Sequence, residues 1–145
     1  MLKLIPIYIK SPYMIDIYFL LMMYGRLIFS EFENPFRTFF YALLKNEIKV
    51  IGGIKNGEFI AFCTLYNLKK MSENNFSCYI YGCAKRKNSK EIDEMLSYIF
   101  DDLKKQGCKV VRLETRIYNM PMRMLARRLN FRKIGVLKKA SFDKT

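Results

Sequence analysis

The amino-acid sequence predicts an α/β (α+β) fold: a mixed, mostly antiparallel central sheet with helices on both faces, in the order β-α-α-β-β-β-α-β-α-β. Three observations lead there. Residues 49–55 and 58–68 read as strands around Asn56-Gly57, a dipeptide suited to the left-handed angles of a tight hairpin. Further on, Ile92, Met95, Leu96, Ile99 and Leu103 follow the 3.6-residue period of an amphipathic helix. That helix is flanked by strands at 76–84 and 109–117, and in the second of these Val111, Leu113, Thr115 and Ile117 share a face. Antiparallel hairpins followed by a β-α-β unit give a mixed sheet with helices on both sides.

The elements follow in order. Residues 2–9 form a first strand, and Pro6 suits an edge or bulged position. Ser11 and Pro12 read as the N-cap and first position of a helix. The apolar run after them has no charge from Ile17 to Gly25, well short of the roughly 20 residues a membrane span needs. It reads as a buried helix with Asp16 and Arg26 on its wet side. Residues 30–35 form a loop, and a second short helix follows with Phe36, Phe39, Phe40 and Leu43 or Leu44 inward. After the hairpin, a loop at 69–75 leads into the strand at 76–84. Gly107 stops the long helix, Asn119 caps the next one, and a last strand is expected over 131–140. No repeat, low-complexity segment or linker divides the chain, so residues 1–145 are expected to form a single domain.

Charge is unevenly spread. The formal net charge is +13. Residues 1–34 carry three basic and three acidic side chains, residues 35–102 ten and eight, and residues 103–145 thirteen and two. The basic C-terminal third suits an acidic partner, either a protein surface or nucleic acid. No nucleic-acid-binding motif accompanies it. Cys63, Cys78, Cys83 and Cys108 form no CxxC pair and the chain has no His, so no metal site is expected. Four thiols in apolar runs read as buried, reduced cysteines of a cytoplasmic protein. Without His, proton transfer falls to carboxylates, Tyr or water.

The run from Asn119 to Phe131 resembles the N-x-x-A-x-x-x-Y-x-x-x-G-F helix of the GNAT superfamily of N-acetyltransferases, with Ala126 at the Tyr position and Asn130 at the Gly. The resemblance implies that acyl-CoA lies between the strands at 76–84 and 109–117. It places Tyr81, Cys83, Arg86, Lys87, Ser89, Lys90 and Asn119 on the cofactor, acetyl-CoA in an active member. Of the family's Q/R-x-x-G-x-G/A pyrophosphate signature only Arg86 is kept, with Ser89 and Glu91 at the glycines. Asn88 and Glu91 have capping-box spacing, and Glu91 would set a like charge against phosphate. Ala126 cannot act as the Tyr acid, which leaves Tyr118 as a candidate. The strand at 76–84 has no acid, which leaves Glu114, flanked by Arg112 and Arg116, as candidate base.

These departures give a first reading: a GNAT-fold binding or assembly module, without catalysis, that meets an acidic partner through its basic third. Such a protein would suit a phage or mobile-element setting, within a phage particle if it is part of one. The alternative is an active acyl-CoA-dependent N-acetyltransferase acting on a primary amine of a small molecule or peptide.

Overall fold

The Asn56-Gly57 turn sets the middle of the sheet. In the computed structural model, which describes residues 2–28, 35–66, 76–85, 91–113 and 120–131, both turn residues have positive φ, 52° and 75°. They join β2 (Ile48–Lys55) to β3 (Glu58–Tyr66) as a two-residue hairpin. Before them come β1 (Leu2–Ile7), α1 (Met14–Ile28) and α2 (Pro35–Leu44). After them come β4 (Phe76–Lys85), α3 (Glu91–Lys105), β5 (Cys108–Leu113) and α4 (Met120–Arg128). This is the expected order as far as α4; the strand expected after Phe131 lies outside the described residues.

The five strands run β1-β2-β3-β4-β5 across the sheet. Every neighbouring pair is antiparallel except β4 and β5, which are parallel and connected through α3. Pro6 sits in β1, an outer strand, where a missing N–H is tolerated. Two cores form, one per face. Ile92, Met95, Leu96, Ile99 and Leu103 of α3 and Leu125 of α4 pack on Ala61, Cys63, Leu65 and Cys108. Ile17, Leu20 and Leu21 of α1 with Phe39 and Leu43 of α2 pack on Ile7, Val50, Phe59 and Phe62. The α3 face is the one its periodicity prescribes, and Leu43 rather than Leu44 turns inward. Gly53 lets α3 come close, for a Cβ there would meet the Met95 sulfur at 2.9 Å.

Two asparagines end helices. Asn46 and Asn130 have φ of 59° and 64°. Glu47 N–H bonds to the Ala42 carbonyl and Phe131 N–H to that of Ala126, each at 2.9 Å, the six-to-one bond of a Schellman ending. Asn130 therefore does the work of the family's glycine, as its side chain permits. Two expectations are corrected. The Ser11 hydroxyl turns back to accept from the Tyr8 N–H at 2.8 Å, and α1 begins only at Met14. And the exposed side of α1 is largely apolar, with Ile15, Tyr18, Phe19, Met22 and Met23 exposed and Asp16 partly so. Among the described residues, no helix is long and apolar enough to cross a membrane.

Candidate functional site

The parallel pair fixes where a site can form. β4 and β5 pair in parallel from Phe76↔Cys108 to Ile80↔Leu113, with a register shift between Phe76 and Ser77, so their carboxyl ends lie at the same end of the sheet. Each strand then leads to a helix, β4 to α3 at Glu91 and β5 to α4 at Met120. α3 thus starts from that end, where Lys55 at the end of β2 meets Glu91, and a helix start carries unpaired amides and the positive end of the dipole. In open sheets, ligands bind beyond the carboxyl ends of parallel strands for this reason.

At the same level β4 departs from regular pairing. Cys63 of β3 stands opposite Cys83, and Leu65 stands opposite Ile80. Three steps of β4 face two of β3, so β4 holds one extra residue around Tyr81 and Gly82. Such a bulge bends a strand and redirects its backbone, and bulges gather next to active sites for that reason. Facing the bulge from β3 is Thr64, fully buried, whose hydroxyl has no hydrogen-bond partner among the described residues.

The sequence-derived candidates divide between these strands and the segments that follow them. Tyr81 and Cys83 lie on β4, at the bulge and just after it. Arg86, Lys87, Ser89 and Lys90, with the capping-box residue Asn88, belong to the segment between β4 and α3, outside the described residues. Glu114, Tyr118 and Asn119 belong to the segment between β5 and α4, also outside them. Ala126, at the family's Tyr position, is half-buried in α4 and offers no proton.

Sequence reading missed how the acidic first turn of α3 is balanced. Lys55, from the end of β2, donates to the Glu91 carboxylate at 2.7 Å. Arg128 of α4 makes a two-pronged bond to Asp93, at 2.8 and 3.0 Å. The Tyr98 hydroxyl donates to Glu94 at 3.0 Å. The bond to Glu91, then its negative charge, raises the Lys55 pKa; Asp93 and Glu94 raise those of Arg128 and Tyr98 in the same way. The charge of Glu91 at the helix start is therefore offset by a lysine 36 positions away in the chain. No local pattern could show this, because only the sheet brings β2 beside the start of α3.

No family model matches this chain, and no curated protein matches it. Solved structures do. A ribosomal-protein-alanine N-acetyltransferase from Brucella melitensis biovar Abortus superposes with a TM-score of 0.72 over 94% of this chain and 96% of its own, at 9% identity. An aminoglycoside antibiotic 6'-N-acetyltransferase from Acinetobacter baumannii gives 0.67 over 94% and 93%, at 10% identity. A predicted acetyltransferase from Clostridium acetobutylicum, solved with acetyl-CoA, gives 0.59 over 94% of each chain at 15% identity. Superposing on these structures over nearly its whole length, the chain has the GNAT acetyltransferase fold.

Proposed function

We propose that this protein is an acyl-CoA-dependent N-acetyltransferase that holds its acyl donor at the carboxyl ends of β4 and β5 and acts on a primary amine. The observation that carries the reading is the bulge of β4, just beyond its parallel pairing with β5. The ligand fits that end of the sheet. Helix-start amides suit a pyrophosphate, and the offset of Glu91 by Lys55 removes the like-charge objection raised by the sequence. Bound acetyl-CoA supplies an activated acyl thioester.

The chain's own groups have these parts in the reading. Backbone around Tyr81 and Cys83 pairs with the extended arm of the donor, as a strand edge pairs with an amide chain. Arg86, Lys87, Ser89 and Lys90 meet the phosphates, and Asn119 starts the helix on the other side. Glu114 and Tyr118 are the candidates for proton transfer. With neither, positioning alone still serves amine attack on a thioester.

Ala126 favours a second reading. Where the family places a proton-donating Tyr, α4 presents a methyl group, which suits a domain that binds through this fold without catalysis. In that reading the basic C-terminal third meets an acidic partner. Melting curves with and without millimolar CoA and acetyl-CoA separate the two, because a ligand that binds only the folded state raises the melting temperature. The transferase reading expects a shift of several degrees and release of free thiol on addition of some member of an amine panel. Absence of any shift sinks it. A shift with no thiol release across small amines and peptide N-termini leaves the binding module.

A further inference from the structure

The outer side of α1 is apolar from Ile15 to Met23. Ile17, Leu20 and Leu21 face the sheet, yet the opposite side presents Ile15 at 61% exposure, Phe19 at 57%, Met22 at 66% and Met23 at 68%. A helix apolar on both its inner and outer sides belongs largely in an interior. The exposed face continues onto α2. Tyr18 sits edge-on to Phe36 at 4.9 Å, Phe36 to Phe40 is 6.0 Å, and Phe40 to the exposed Tyr41 is 6.4 Å. At roughly 150–250 Å² for a large side chain, the exposed fractions on α1 alone leave about 500 Å² of apolar surface. That is the size of the largest patch on a typical monomer, about 300–600 Å², before α2 is added. With Tyr41 and Leu44 of α2 the surface approaches the roughly 800 Å² per partner of a stable complex.

We propose that this surface is covered by a second copy of the chain, with the two α1 helices packed antiparallel about a twofold axis that crosses their outer faces at the level of Leu21. Charge selects this occupant. Residues 1–34 sum to zero charge, whereas residues 103–145 carry thirteen basic and two acidic side chains. Anionic lipid or an acidic partner would be drawn to that basic third, and α4, its described helix, packs on the other face of the sheet. Two copies that each carry +13 can approach most readily through the neutral part, which is where α1 lies. The helix is also self-complementary. Its two charged positions are Asp16 and Arg26, and antiparallel pairing about Leu21 brings position 16 of one copy opposite position 26 of the other. The same pairing sets Phe19 against Met23. A twofold interface makes each such match twice.

This inference does not depend on the acyl-CoA reading, and its test does not use CoA. Sedimentation equilibrium of the full chain at about 1–100 μM should give twice the chain mass of 17.3 kDa. The double variant Phe19→Glu/Met22→Glu should weaken association at least about a hundredfold, because each change counts in both copies. Both positions are exposed, and an unchanged circular dichroism spectrum checks that the fold is kept. Asp16→Arg should weaken the dimer and Asp16→Arg/Arg26→Asp should restore it. A wild-type chain that is monomeric at the highest concentration overturns the proposal, whether or not it pellets with phospholipid vesicles. So does a dimer indifferent to Phe19→Glu/Met22→Glu, and failure of the charge swap to restore association overturns the antiparallel pairing.

Discussion

Thr64 is the buried polar side chain among the described residues, and its hydroxyl has no hydrogen-bond partner. An unsatisfied buried group lowers stability by about 1–3 kcal/mol. Thr64→Val should therefore raise the urea midpoint, by about 1 kcal/mol of stability once the lost shape match is allowed for; a fall would show that the hydroxyl has a partner in the working protein. Gly52 makes the opposite case. A Cβ there would meet Ile7 Cδ1 at 2.9 Å and Cγ1 at 3.1 Å, with the Phe59 ring at 3.3 Å. Ile7 and Phe59 are themselves buried and cannot retreat, so Gly52→Ala should cost about 1–3 kcal/mol in chemical denaturation. Neither effect is legible in the sequence. Both positions read as ordinary strand residues, and the neighbours that matter are remote in the chain.

At the scale of elements, periodicity was a good guide wherever one face alone is buried. The inward residues of α3 match their 3.6 spacing one for one, and Asn56-Gly57 makes the hairpin its backbone preference requires. Periodicity gave no guide at α1, because apolar residues on both sides of a helix do not reveal which side the sheet will take. How α3 is anchored was also hidden, since Lys55 and Arg128 reach it from β2 and α4. The Lys55 link has a pH signature. Its pKa is raised in the folded protein, so its contribution is fully present below the ordinary lysine value of 10.5 and is lost as pH rises through the higher folded value. The melting temperature of Lys55→Gln should lie below that of wild type at neutral pH, and the two curves should converge above pH 10.5. A gap that stays constant into that range would show that the lysine stabilises by packing instead.

For the whole molecule, the large positive charge sets a self-repulsion that salt screens. The chain has twice as many basic as acidic residues, 26 against 13, while the exposed pair of Arg128 and Asp93 contributes little. Raising ionic strength from about 0.02 to 0.5 M should therefore raise the melting temperature. A decrease would mean that attractive pairs outweigh the repulsion.

By itself the sequence determined the order of elements through α4, the hairpin turn, the core face of α3 and the helix-ending role of Asn130. These rest on local backbone preference and on side-chain periodicity, which the chain carries at every position. Only the tertiary structure decided the β4 bulge opposite Thr64, the offset of Glu91 by Lys55 and the bare face of α1. Each depends on which strand lies beside which, and pairing across the sheet joins residues whose separation along the chain gives no sign of their contact.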